Sequence, residues 1–83
     1  MGYNGWKNWE TWNVALWVQN DEGLYRAAYN SVNNRGHLFG AYKAFVHEYL
    51  DGNGETPDGA KWLSNRLNYS ELDEMMHELV TWG

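Results

Sequence analysis

The sequence predicts a single all-α domain, a compact bundle of about five short helices with a core rich in Trp and Tyr. Three observations carry that prediction. Apolar residues recur at three- and four-residue spacing through most of the chain, and residues that cap helices stand just before these stretches. The chain is only 83 residues long and has no cysteine, so a disulfide framework and a thiolate zinc site are both excluded and apolar burial must hold the fold. Aromatics make up 17% of it, from six Trp, six Tyr and two Phe. Each ring removes roughly 150–250 Å² from water when buried, which substitutes for size in a domain that hides only about 60% of its unfolded surface. At 43% apolar and 20% charged residues, the composition is globular rather than disordered.

The elements follow in order. Asn8 is the N-cap of a first helix over Trp9–Gln19, with Trp9, Trp12 and Leu16 on one face and Val14, Trp17 and Val18 around the other. Being apolar almost all round, this segment suits a central buried helix, or one with its core face inside and a second face kept for a partner. Its rival is a strand, because Trp12, Val14, Leu16 and Val18 also alternate. Asp21 caps a second helix, Glu22–Asn33, with Leu24, Ala27, Ala28 and Val32 inward, Tyr25 and Tyr29 stacked on the flank, and Asn34-Arg35-Gly36 as the stop. A third helix, His37–Leu50, carries Leu38, Tyr42, Phe45, Val46, Tyr49 and Leu50 at helical spacing until Asp51-Gly52-Asn53-Gly54 breaks it. Thr56-Pro57 reads as an N-cap with proline at the first helical position, opening a fourth helix to Leu67 with Ala60, Leu63 and Leu67 in line. Ser70-Glu71-Leu72-Asp73 resembles a capping box for the last helix, whose apolar face is Leu72, Met75, Met76, Leu79 and Val80 and whose other face is acidic.

The formal charge of −5 is uneven. Residues 1–47 hold four cations against three anions, whereas residues 48–83 hold eight anions against Lys61 and Arg66. Six dispersed cations cannot supply the phosphate contacts of a nucleic-acid binder, so no direct nucleic-acid partner is expected. No apolar run approaches the ~20 residues of a membrane span, and the first residues lack the apolar stretch of a signal peptide. The expectation is a soluble intracellular protein with no membrane partner. Its acidic half is matched best by a basic protein surface.

Catalytic and metal signatures fail on spacing. His47-Glu48 and His77-Glu78 lack the second histidine four residues on that a zinc helix requires. Asp51-Gly52-Asn53-Gly54-Glu55 begins like a calcium loop, but Thr56 stands where the loop glycine belongs and Trp62 where its bidentate acid belongs. Gly52 and Gly54 have neither the strand nor the third glycine of a nucleotide fingerprint. No Ser or Thr sits in a nucleophile elbow, and Asp73-Glu74 and Asp21-Glu22 point about 100° apart on a helix. A non-enzymatic protein without cofactor or metal is expected.

What stands out is the N-terminal aromatic block of Tyr3, Trp6, Trp9, Trp12 and Trp17, interleaved with Asn4, Asn8, Asn13 and Glu10. Trp9 and Trp12 read as core, while Tyr3, Trp6 and Trp17 are candidates for a recognition surface. The run Tyr3-Asn4-Gly5-Trp6-Lys7-Asn8-Trp9-Glu10-Thr11-Trp12-Asn13-Val14-Ala15-Leu16-Trp17, followed by Asn20-Asp21-Glu22-Gly23-Leu24-Tyr25, resembles a group of small proteins carried by bacteriophages and mobile elements. The likeness covers about the first third of the chain and brings no catalytic residues with it. It implies a phage or plasmid accessory protein in the cytoplasm of a bacterial host, where small acidic proteins often block defence systems such as CRISPR effectors or restriction enzymes. The expected partner is thus a host protein or protein–nucleic-acid complex. Glu71, Asp73, Glu74 and Glu78, with Asp51, Glu55 and Asp58, would meet its basic groups, and Trp6, Trp17 and Tyr3 would supply affinity. Two rivals are sequestration of a nucleotide signal between Trp and Tyr rings, and a phage structural or regulatory subunit that forms a homo-oligomer.

Overall fold

The computed structural model of the chain describes residues 5–35 and 40–82. Among them are four helices, α1 (Trp9–Asn20), α2 (Glu22–Arg35), α3 (Ala41–Tyr49) and α4 (Tyr69–Trp82). Helix α2 packs against each of the others, and α4 also touches α1 and α3.

Asn8 starts α1 from extended backbone (φ −153°, ψ 174°), and its Oδ1 accepts from the Thr11 amide at 2.9 Å and the Thr11 hydroxyl at 2.6 Å. The strand alternative fails, because Asn13, Val14 and Ala15 are buried in succession and an alternating strand would turn one of them outward. The buried stripe is Thr11, Val14, Ala15 and Val18, rotated away from the expected face of Trp9, Trp12 and Leu16, which are half-buried. Small side chains let α1 approach its neighbours closely, and the larger rings cover the margins of that contact. Asp21 makes a one-residue corner. Its amide donates to the Trp17 carbonyl at 3.0 Å, ending α1, and its Oδ1 accepts from the Leu24 amide at 3.0 Å, starting α2.

Helix α3 begins at Ala41 rather than His37, and His37 and Leu38 lie outside the described residues. Gly40 occupies the N-cap in the left-handed region (φ +74°), which glycine enters without steric cost, and it offers no side chain to cap the helix. The missing cap arrives from α4. Asp73 accepts from the Gly40 amide through Oδ2 and from the Tyr42 amide through Oδ1, each at 2.9 Å. A carboxylate there also complements the positive end of the helix dipole.

The expected fourth helix, Thr56 to Leu67, is not helical, so there are four helices among the described residues instead of five. Thr56-Pro57-Asp58-Gly59 closes a turn in which the Gly59 amide donates to the Thr56 carbonyl at 2.9 Å. Proline second and glycine fourth suit a type I turn as well as they suit a helix start. Gly59 at φ +97° then sends the chain back, the Thr56 amide donates to the Ala60 carbonyl at 2.7 Å, and Glu55 and Lys61 form an antiparallel bridge. The last helix is capped by Asn68 and not by Ser70. Asn68 Oδ1 accepts from the Glu71 amide at 3.1 Å, while the Asn68 amide donates to the Thr11 hydroxyl at 3.0 Å.

The core joins Val14 and Val18 of α1, Ala28 and Val32 of α2, Tyr42, Phe45 and Val46 of α3, and Leu72, Met75, Met76 and Leu79 of α4, with Trp62 and Leu67 from the connecting segment. Tyr42 and Trp62 are its large polar-edged rings. Trp6, Trp9 and Trp17 pack against it while only partly buried, so the expectation of a Trp- and Tyr-rich core holds in part. The Tyr42 hydroxyl donates to the Trp62 carbonyl at 2.7 Å. Burial, and then the neighbouring Tyr69, push the Tyr42 phenol pKa well up, which keeps it a neutral donor.

Candidate functional site

Residues 71, 74, 75 and 78 share one face of α4, because steps of three, four and seven residues return to the same side of a helix. Facing them is the strap that precedes α1. The Lys7 amide donates to Glu71 Oε1 at 2.9 Å, which holds the strap against α4 and places Trp6 beside the acids. The result is a hollow of about 240 Å³ lined by Gly5, Trp6, Gln19, Glu71, Glu74, Met75 and Glu78. Glu74 and Glu78 are exposed, Glu71 and Trp6 are half-buried, and Met75 forms part of the floor as a core residue. Among the described residues that line it there is no cation.

Four of the residues expected at a recognition surface, Trp6, Glu71, Glu74 and Glu78, therefore come together. Asp73 does not join them, since both its oxygens serve the start of α3. Glu71 is partly committed as well, through the Lys7 amide. Asp51 is exposed but turns onto its own loop, where Oδ1 accepts from the Asn53 amide at 3.0 Å. Glu55 is exposed on the bridge with Lys61. Tyr3 lies outside the described residues.

Asp58 and Trp17 meet in a separate arrangement. Asp58 Oδ2 accepts from Asn13 Nδ2 and from the Trp17 indole N–H, both at 2.9 Å, and buried Asn13 accepts the Thr56 hydroxyl at 2.6 Å. The same Thr56 oxygen accepts from the Asp58 amide at 3.2 Å and the Ala60 amide at 3.1 Å, so the 56–60 turn is clamped onto α1. The Asn13 donor, and then that of Trp17, hold the Asp58 carboxyl below its ordinary pKa. A depressed carboxyl adds stability above its unfolded pKa of about 3.9 and loses it as pH falls through the lower folded value. Asp58→Asn is thus expected to melt below the parent protein at pH 7, with the gap narrowing as pH drops under about 4. Thermal melts by circular dichroism from pH 7 to pH 2.5 check this, and a gap that stays constant would contradict it.

Among the described residues no group of three His, Asp or Glu side chains is arranged to hold a metal, and His47 and His77 are exposed. A second hollow, of about 400 Å³, lies on α2 beside Tyr25, Arg26, Tyr29 and Asn30, where Arg26 pairs with Glu22 at 2.9 Å and both side chains are largely exposed. Sequence reasoning missed Gln19 and Met75 at the first hollow. Met75 was within reach, four residues on from Glu71, but Gln19 carries no signal, because its place depends on how α1 crosses α4.

Comparison with curated proteins and with solved structures gives no match for the chain. A family model covers residues 1–82, and the chain belongs to that family, a family of unknown function designated DUF7249.

Proposed function

We propose that the protein is a binding protein that acts by occupancy, setting its acidic hollow against a basic, nucleic-acid-binding surface of a bacterial defence complex. One observation carries this reading: Glu71, Glu74 and Glu78 converge beside the Trp6 indole in a concave site with no cation among the described residues that line it. Carboxylates steer a basic partner and an aromatic ring supplies contact area, the two contributions a blocking interface draws on. The likeness of the N-terminal run to phage and mobile-element proteins supports a CRISPR effector or restriction enzyme as the target. Action by occupancy asks for no catalytic group.

Glu74 and Glu78 are the residues that test the reading, because both are exposed and no fold contact depends on them in the way α3 depends on Asp73. Glu74→Lys with Glu78→Lys is expected to abolish inhibition of host defence while stability changes by no more than about 0.5 kcal/mol per site. Plaque and plasmid-interference assays in a defence-proficient host, paired with thermal melts, read both quantities. Full inhibition by a folded double variant would sink the acidic-face mechanism.

The α2 hollow favours a second reading, sequestration of a nucleotide, because two phenol rings, an amide and a guanidinium stand together there. Calorimetric titration with a nucleotide panel separates the two. Heat that disappears on Tyr29→Ala would move the function to α2.

A further inference from the structure

We propose that Asn53 is a site of spontaneous covalent modification, at which its carboxamide becomes a carboxylate through a cyclic imide closed onto the Gly54 amide. The reaction needs water and nothing else. The Gly54 nitrogen, on losing its proton, attacks Asn53 Cγ; a C–N bond forms, and the carboxamide nitrogen leaves as ammonia. Water then opens one or the other carbonyl of the succinimide, giving aspartate, or isoaspartate with the backbone routed through the former side chain.

Two features single out Asn53. Among the described residues it is the asparagine followed by glycine, which has no Cβ to shield the attacking nitrogen. Asn53 is also exposed, and no hydrogen bond holds its carboxamide among the described residues, whereas the carboxamides of Asn8, Asn13, Asn20 and Asn68 are all engaged. Asn30, Asn33 and Asn34 lie within α2, where the amides that follow them belong to the helix. The pairs Asp51-Gly52 and Asp58-Gly59 present a carboxylate, a far poorer electrophile than a carboxamide. Asp58 is fixed besides by Asn13 and Trp17, and the Gly59 amide is bonded to the Thr56 carbonyl. At Asn53 the restraint is the turn itself. The Gly54 amide donates to the Asp51 carbonyl at 2.8 Å and the Asn53 amide to Asp51 Oδ1 at 3.0 Å, so the nitrogen reacts when this turn opens. With Asp51 and Asn53 both exposed, that opening is local and leaves the core folded. Either product adds a negative charge between exposed Asp51 and Glu55, and isoaspartate lengthens the backbone just before Gly54, whose carbonyl accepts the Trp62 amide at 3.1 Å. The modification is independent of the occupancy reading.

The experiment incubates the full folded chain at mildly alkaline pH and physiological temperature, then maps its proteolytic peptides by mass spectrometry with chromatographic separation of aspartyl and isoaspartyl forms. Asn53 is expected to convert at least about tenfold faster than any other described asparagine, because only there does glycine follow. Isoaspartate should accompany aspartate, since the imide opens on either side. If Asn53 stays intact in the folded chain while a capped peptide of the same local sequence converts, the turn withholds the nitrogen and the proposal is overturned. Conversion confined to urea concentrations that unfold the whole domain overturns it too. Aspartate without isoaspartate would show direct hydrolysis instead of the imide and would likewise overturn it.

Discussion

Asn13→Ala is expected to destabilise the domain by about 3 kcal/mol, which at this size lowers the melting temperature by about 12–20 °C. Asn13 is 1% exposed and the Thr56 hydroxyl it accepts is in a residue 2% exposed, so truncation leaves a buried donor without its acceptor and a small void. The effect does not stop there. Asn13 also holds Asp58, and Thr56 Oγ1 accepts the amides of Asp58 and Ala60, so the whole 56–60 turn loses its anchor on α1. Such a network is worth more than its separate bonds, and Thr56→Val should reveal it. The double variant Asn13→Ala/Thr56→Val is expected to cost clearly less than the two single losses added together. Strict additivity in urea unfolding would show that the two groups act independently.

Asp73→Ala is expected to cost about 2 kcal/mol, close to 10 °C in melting temperature, whereas substitution of the exposed Glu74 and Glu78 is expected to cost little. The reason lies in Gly40. With glycine at the N-cap, α3 has no side chain of its own to satisfy its first amides, and the Asp73 carboxylate supplies both acceptors across the interface. The loss should be local at first. Hydrogen exchange at the Tyr42 amide is expected to accelerate more than exchange at the core of α2. If Asp73→Ala melts with the parent protein, the cap contributes nothing and the acid at position 73 is only a surface charge.

The elements legible in the sequence are those settled by neighbours in the chain. Asn8 and Asp21 each serve amides three residues away, so their helices could be read from local chemistry. The 56–67 segment could not, because Thr-Pro-Asp-Gly satisfies the rules for a helix start and for a tight turn alike. Gly59 at positive φ and the distant Asn13 decide between them. The start of α4 has a local signal, Asn68 Oδ1 on the Glu71 amide, to which the Thr11 hydroxyl on the Asn68 amide adds a contact from outside. At the site, the 71, 74, 78 spacing already implied one shared face. The same wheel puts Asp73 about 200° from Glu71, on the opposite side, which was the available sign that it would not join them. Trp6 could be suspected as an aromatic in a polar context, but its place beside α4 depends on the Lys7–Glu71 bond, and Gln19 on the helix crossing.

The fastening of α1 also bears on how the polypeptide is made. Its Glu10, Thr11, Asn13 and Trp17 are secured by Arg66, Asn68, Thr56 and Asp58, partners that lie between 41 and 57 positions further along. During synthesis the first helix therefore emerges well before these four partners, with α2 as the first element available to pack against it. The side-chain fastening of α1 therefore waits until residue 68 has been made, which favours late consolidation of this face of the domain over early locking of its first helix.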